Sequence, residues 1–170
     1  LVGRAAAEAV GNPDAATQEA AQEAPQEAAW IRYITSHPRD CNESHLRAVA
    51  ETPNVCENFH LPVQSGSDAV LARMRRLYTR QSYLELVRRV REAVPGATIT
   101  TDLIVGFPGE TEEQFQQTLD LAARVRFDAA YMYMYSTRPG TPAAEEFQDH
   151  LPLALKKDRL ARLIELQEGI

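Results

Sequence analysis

The residues best suited to chemistry lie in the stretch FHLPVQSGSD, residues 59–68, where an apolar segment runs directly into small polar residues. Gln64 and Ser65 can form hydrogen bonds with ribose-like hydroxyl groups, and Gly66 allows a ligand to approach the backbone closely. Ser67 is better explained as the cap of a following helix. The stretch therefore predicts a site for a small molecule that carries hydroxyl groups.

Three further turns have a similar composition: TSHPRD (residues 35–40), VGFPGET (residues 105–111) and YSTRPGTP (residues 135–142). GFPGET lacks the Lys-Ser/Thr pair of a phosphate-binding loop and the glycine spacing of a dinucleotide fingerprint. Two interpretations stay open for it. Its glycines permit a tight turn before a helix capped by Thr111, or its backbone forms hydrogen bonds with a purine.

Charged residues near these turns are candidate ligand contacts. Asp102 interrupts an apolar strand, and a salt bridge to a neighbouring element or a ligand contact would both explain it. Arg76 could bind a ligand carboxylate, and Arg138 could meet a phosphate backbone. For His37 and His60, a contact at the site and simple packing both stay open.

The elements that must position these residues alternate between strands and helices. Segments rich in β-branched and aromatic residues predict four strands, over residues 30–36, 59–63, 98–106 and 128–136. Helical patterns lie between them, at a spacing of roughly 30 residues that is typical of βαβ units. In parallel α/β folds the ligand site lies at the carboxyl ends of the strands, so the four turns should share one rim.

Local signals set the ends of several elements. Thr79 is expected to cap one helix that stops at Pro95, and Thr111 with Gln114 fits a capping box. Another helix is expected after Pro152. In YMYMY, residues 131–135, alternation predicts that tyrosines and methionines lie on opposite faces of a strand, with Tyr135 nearest the strand end.

Bulk composition favours a globular α/β protein. The chain has 170 residues, a hydrophobic content of 44% and a net charge of −6, and it has no apolar run of about 20 residues. We therefore expect no membrane span and no DNA partner. The net charge argues against a nucleic-acid footprint over the whole surface, and a local basic patch stays open. Residues 1–29, rich in Ala, Glu and Gln, are expected to form a helical or disordered segment, and residues 30–170 the ordered domain. The two cysteines, Cys41 and Cys56, suggest a reducing compartment.

Several long motifs together resemble one known family. TSHPRD, HLPVQSGSD, MRRLYTRQSYLELVRRVREAVPG, ITTDLIVGFPGETEEQF and YMYMYSTRPGTPAA occur in register and order over about residues 30–170. They are similar to the carboxy-terminal part of the radical S-adenosylmethionine core of the methylthiotransferases, and the tRNA branch (MiaB-type) is the nearer one. The ribosomal-protein branch, which favours PLQH in place of PVQS, is the alternative enzyme, and a cluster-free module that binds S-adenosylmethionine or RNA is the alternative outside enzymes.

The resemblance implies a fold and a chemistry. The fold is an α/β (β/α)6 partial barrel, here truncated at both ends. A 4Fe–4S cluster on a C-x3-C-x2-C loop binds S-adenosylmethionine and yields a 5′-deoxyadenosyl radical, and a second 4Fe–4S cluster supplies sulfur. The implied reaction is methylthiolation of C2 of N-isopentenyladenosine beside the anticodon. It takes place in the cytoplasm, with the anticodon stem-loop of tRNA and an electron donor as partners.

The resemblance also implies roles for individual residues. Gln64 and Ser65 line the ribose side of S-adenosylmethionine, and Arg76 approaches its carboxylate. Gly106, Phe107 and Tyr135 border the adenine. Asp102 is predicted as a further cofactor contact from its place in an apolar strand, and not from the resemblance. His37 and Arg138 face the RNA substrate.

The chain also departs from the family pattern. Arg75 and Leu77 stand where the family often has Asn and Gly, and Cys41 replaces a larger apolar or polar residue. Neither set of cluster cysteines is present, so we expect no metal ligand and no catalytic residue in these 170 residues. Catalysis by the bare chain is therefore not expected.

Overall fold

The computed structural model describes residues 29–34 and 37–170. The prediction of a helical or disordered segment over residues 1–29 therefore falls, except for Ala29, outside the described residues. Thr35 and Ser36, the end of the first predicted strand, also lie outside them.

The described part of the chain contains a parallel sheet of three strands: β1 (Asn58–His60), β2 (Thr98–Val105) and β3 (Ala129–Met134). Their order in the sheet is β1-β2-β3, so neighbours in the sequence are neighbours in space. Each pair is parallel and joined through helices, as in a βαβ unit. The expected α/β class with a parallel sheet is confirmed.

Six α-helices accompany these strands in the described residues. They are α1 (Glu43–Glu51), α2 (Asp68–Arg73), α3 (Arg80–Ala93), α4 (Glu112–Val125), α5 (Pro142–Glu146) and α6 (Leu153–Glu168). The helix after Pro152 and the end of α3 before Pro95 are confirmed. The connections place α2 and α3 between β1 and β2, and α4 between β2 and β3.

Two predicted strands differ from those observed. Over residues 30–34, only Ile31 forms a bridge, to Val55, so the prediction of a strand there is wrong for the described part. Its side chains have strand propensity, but Ile34 is 85% exposed and a ladder needs a partner backbone. The strand predicted over 59–63 stops at His60. The Leu61 N–H still donates to the Thr100 carbonyl, but the Val63 N–H donates to the Thr101 side chain, so the ladder is interrupted until Gln64.

The sheet buries one face and leaves the other partly open. Along β2, Ile99, Leu103 and Val105 are fully buried in the core, whereas Asp102 on the opposite face is only partly covered. On β3, the tyrosines Tyr131 (56% exposed) and Tyr133 (52% exposed) share the open face, while Met132 and Met134 pack against the core. The predicted separation of tyrosines and methionines is confirmed.

Both predicted N-terminal caps of long helices are present. Thr111 Oγ1 accepts a hydrogen bond from the Gln114 N–H at 3.3 Å, and Gln114 Oε1 accepts one from the Thr111 N–H at 3.1 Å. Thr79 forms the equivalent pair with Ser82. Ser67 occupies the N-cap position of α2, but its side chain makes no capping hydrogen bond within the described residues.

Replacing Thr111 by alanine removes the acceptor for the Gln114 N–H and should lower the free energy of unfolding by about 1 kcal/mol. Urea titration followed by circular dichroism measures this change. Thr111→Ser is the matched control, because it keeps the hydroxyl, and it should unfold close to the unaltered protein. Equal losses in both variants would contradict the capping role.

Candidate functional site

A cavity of about 620 Å³ opens at the carboxyl ends of the strands. This volume lies within the range of about 300–1,000 Å³ typical of sites for small molecules and cofactors. Six residues singled out from the sequence line it: Gln64, Arg76, Asp102, Phe107, Tyr135 and Arg138. The predicted convergence of turns is thus found for the turns after β1, β2 and β3.

Gln64 reaches the cavity because the chain rejoins β2 after Pro62. Its N–H donates to the Asp102 carbonyl at 2.8 Å, and its own carbonyl accepts from the Ile104 N–H at 2.9 Å. Between these two bonds the backbone has φ = 69°, a left-handed conformation that is uncommon for a residue with a side chain. With this backbone conformation Gln64, which is only 6% exposed, lies in the cavity wall.

Ser65 and Gly66 lie against helix α4 and are not among the residues that line the cavity. The Ser65 hydroxyl is 3.3 Å from Thr118 Oγ1, and the Gly66 N–H donates to that same oxygen at 3.0 Å. Ser65 Oγ also accepts from the Ser67 N–H at 3.2 Å. These contacts fix the loop on α4, and the ribose contact assigned to Ser65 stays a prediction.

The GFPGET turn brings an aromatic ring to the cavity. Gly106 has φ = 72°, which favours glycine, and its N–H donates to Glu110 Oε2 at 2.7 Å. Phe107 lines the cavity and meets the Tyr135 ring edge-on, with centroids 5.0 Å apart. The buried Tyr135 hydroxyl makes no hydrogen bond among the described residues. Gly106 itself supports the turn and contacts Lys156.

A buried ion pair holds this turn to α6. Arg159 donates from one guanidinium nitrogen to Glu110 Oε2 at 2.9 Å and to the Glu110 carbonyl at 3.0 Å. Burial raises the pKa of the Glu110 carboxyl, and the hydrogen bonds from Gly106 and Arg159 oppose that rise. The sequence reasoning missed this pair. The sequence contains one signal for it. Lys156, Arg159 and Leu163 are spaced so that they share one face of a helix, and two cations on a buried helix face need a partner.

Lys156 joins the two turns on this side of the cavity. Its Nζ donates to the Tyr135 carbonyl at 3.2 Å, lies 5.4 Å from the Tyr135 ring centroid and pairs with Asp149. A Cβ on Gly106 would lie 2.6 Å from Lys156 Cγ, so the stem of this side chain covers the glycine. Helix α6 therefore supports both Gly106 and Tyr135.

Asp102 has a histidine as its neighbour on the next strand. Asp102 Oδ2 is 3.5 Å from His60 Nε2, and the two side chains are 28% and 22% exposed. The two interpretations left open by the sequence therefore meet at one residue: Asp102 contacts a neighbouring strand and also lines the cavity.

The remaining predicted residues are divided between the cavity and its surroundings. Arg76 and Arg138 line the cavity, as does Arg75, which pairs with Glu146 from α5. His37 does not line it: the ring meets Tyr78 edge-on at 5.4 Å, and burial followed by the charge of Arg76 lowers its pKa. The predicted contact of His37 with RNA stays a prediction.

The lining groups suit a ligand with three chemical parts. The Gln64 amide and the Asp102 carboxylate can bind hydroxyl groups, and the arginines can bind a carboxylate. Phe107 and Tyr135 offer an aromatic surface. Within residues 29–34 and 37–170, no group of three or more His, Cys, Asp or Glu side chains could hold a metal ion. In the same residues no helix is long and apolar enough to cross a membrane.

Comparison with known families gives one match that covers most of the chain. Residues 11–122 match the model of the radical SAM superfamily. In Thermus thermophilus, a relative named tRNA-2-methylthio-N(6)-dimethylallyladenosine synthase is 57% identical over 138 residues, which are 81% of this chain and 30% of the relative. The protein of the same name in Symbiobacterium thermophilum is 56% identical over 140 residues, which are 82% of this chain and 30% of the relative. The chain thus spans slightly less than a third of the length of these relatives.

A solved structure supports the fold. Coproporphyrinogen III oxidase (HemN) from Escherichia coli, described as a radical SAM enzyme, superposes with a TM-score of 0.68 at 22% identity. The superposition covers 83% of this chain and 32% of that one. At this identity the likeness concerns the fold alone, and it agrees with a sheet that forms part of a barrel.

Proposed function

The chain belongs to the radical SAM superfamily, and from this premise we propose that it is part of a tRNA methylthiotransferase. The proposed reaction is the methylthiolation of C2 of N-isopentenyladenosine beside the anticodon of tRNA, which places the protein in the cytoplasm. The observation that carries the proposal is the identity of 57% with a relative named for this product, over 81% of the chain.

We assign the cavity to S-adenosylmethionine. Gln64 and Asp102 are suited to its ribose hydroxyls, Arg76 to its carboxylate, and Phe107 with Tyr135 to its adenine. When bound and reduced by one electron, S-adenosylmethionine supplies the radical chemistry of the superfamily. The residues of this chain bind and orient it.

The clusters are assigned to cysteines outside these 170 residues. The chain has two cysteines, and the described residues hold no metal-binding group. Burial raises the pKa of the Cys41 thiol to about 11, so this thiol stays protonated at neutral pH, whereas a cluster ligand must be a thiolate. We therefore propose that two 4Fe–4S clusters are held elsewhere in the protein and that an electron donor is a partner.

The proposal is tested on the protein expressed with all the sequence that its gene encodes, reconstituted with iron and sulfide. Incubation with S-adenosylmethionine, a reductant and tRNA that lacks the methylthio group should yield the 2-methylthio nucleoside, detected by mass spectrometry. If the reconstituted protein binds S-adenosylmethionine but modifies no tRNA, a binding module is the better interpretation. Methylthiolation of a ribosomal protein instead would assign it to the other branch.

Asp102→Asn should weaken S-adenosylmethionine binding about tenfold, because a charge-assisted hydrogen bond to a ribose hydroxyl is replaced by a neutral one. Isothermal titration calorimetry of the unreduced protein measures the dissociation constant. Asp120→Asn is the matched control, since Asp120 is exposed on α4 and pairs with Gln116 away from the cavity. Equal losses in both variants would remove Asp102 from the site.

A further inference from the structure

The open face of the sheet carries a chain of polar contacts that ends at the cavity. His60 on β1 contacts Thr100 and Asp102 on β2, and of these three residues only Asp102 lines the cavity. We propose that His60 is a positioning residue, which holds the Asp102 carboxylate in the orientation that binds the ribose hydroxyls of S-adenosylmethionine. This inference rests on the proposed function, and it adds a residue outside the cavity to the binding of the cofactor.

The strand register fixes the arrangement. His60 pairs with Thr100 in the parallel β1–β2 ladder, and Asp102 lies two residues further along β2, on the same face. His60 Nδ1 is 3.0 Å from Thr100 Oγ1, and His60 Nε2 is 3.5 Å from Asp102 Oδ2. Each ring nitrogen therefore faces one defined partner.

The partners also select the form of the imidazole. The Asp102 carboxylate can only accept hydrogen bonds, so it favours the forms of His60 that carry a hydrogen on Nε2. In the neutral form with this hydrogen, Nδ1 accepts from the Thr100 hydroxyl, and in the protonated form it donates to it. Both forms place an N–H on the nitrogen that lies 3.5 Å from Asp102 Oδ2, a distance of electrostatic contact that is longer than an ordinary hydrogen bond. The Tyr131 ring, 6.0 Å away between centroids, borders the imidazole edge-on.

The carboxylate is the part of Asp102 that needs this support. Its backbone carbonyl already accepts from the Gln64 N–H at 2.8 Å, so the main chain is fixed while the side chain can rotate. Arg73 and Arg76 line the same cavity and attract a carboxylate electrostatically. Without His60, Asp102 would turn toward these cations, and both the hydroxyl contact and a free arginine for the ligand carboxylate would be lost.

The test is a double-mutant cycle on S-adenosylmethionine binding, measured by calorimetry on the unreduced, cluster-reconstituted protein with all its gene-encoded sequence. His60→Leu should weaken binding about fivefold in the unaltered background and by less than about twofold in the Asp102→Asn background. His60→Gln, whose amide can donate toward Asp102, should recover at least half of the lost binding free energy. Iron content and the unfolding midpoint establish that each variant is folded.

The outcomes separate the two levels of the proposal. An unaltered protein that binds no S-adenosylmethionine overturns the proposed function and the inference together. Binding by the unaltered protein, with equal effects of His60→Leu in both backgrounds, overturns the positioning role alone. The positioning role is also overturned if the His60→Gln variant binds S-adenosylmethionine no more tightly than the His60→Leu variant, because a donor toward Asp102 would then have no effect.

Discussion

Replacing Gly66 by alanine is expected to lower the free energy of unfolding by about 3 kcal/mol or more. The new Cβ would lie 2.3 Å from the Gln117 carbonyl oxygen and 2.7 Å from Thr118 Cα. Both are main-chain atoms of α4, which cannot rotate away as the end of a side chain can. The loop must therefore separate from the helix, which also breaks the hydrogen bond from the Gly66 N–H to Thr118.

Urea unfolding of the unaltered protein and of the Gly66→Ala variant measures the difference in the free energy of unfolding. Binding of S-adenosylmethionine should also weaken in this variant, because Gln64 belongs to the displaced loop. Gly96→Ala is the matched control. Its Cβ would approach only Glu57 Oε2, at 3.0 Å, and that carboxylate ends a flexible side chain. We expect a change within about 0.5 kcal/mol for the control. A similar loss at both glycines would show that the contact with α4 is not the cause.

Replacing Arg159 by leucine should cost about 3–5 kcal/mol, because it leaves Glu110 buried without its charged partner. The Arg159 side chain is 3% exposed and that of Glu110 is 0% exposed, so water cannot replace the lost bonds without movement of α6. Arg162→Leu is the control on the same helix. Arg162 pairs with Glu112 and Asp158 near the surface, and its loss should cost about 1 kcal/mol or less.

The loss in the free energy of unfolding caused by Arg159→Leu should also depend on pH. Burial already raises the pKa of Glu110, and removal of the guanidinium raises it further. A carboxyl whose pKa is higher in the folded than in the unfolded state destabilises the folded protein above the unfolded pKa, and protonation relieves the penalty as the pH falls. Unfolding midpoints at about pH 5 and pH 8 should therefore show a smaller deficit at the lower pH. A constant deficit would indicate that lost packing is responsible.

The features predictable from the sequence are those that depend on neighbours in the chain. The helix caps at Thr79 and Thr111 depend on residues within one turn of each other, and the strand Thr98–Val105 depends on a run of β-branched residues. The strand predicted over residues 30–36 had the same propensity. A strand also needs a partner backbone along its length, and propensity does not report one.

The sequence was sufficient to locate the cavity, but it did not predict which way every side chain points. Of the seven residues predicted to bind a cofactor, five line the cavity, because the carboxyl ends of parallel strands share one edge of a sheet. Ser65 differs because a partner 53 positions away, Thr118, takes its hydroxyl. Glu110 and Arg159, 49 positions apart, and the contact of His60 with Asp102 depend equally on tertiary packing. The ligand roles of all these residues remain predictions.

Lys156 connects helix α6 to the aromatic side of the cavity. One side chain covers Gly106 and bonds to the carbonyl of Tyr135, so the two aromatic walls, Phe107 and Tyr135, are tied to the same helical turn. A shift of α6, for example on docking of a macromolecule, would therefore move Gly106 and Tyr135 together. The shape of this wall of the cavity and the position of α6 are therefore coupled.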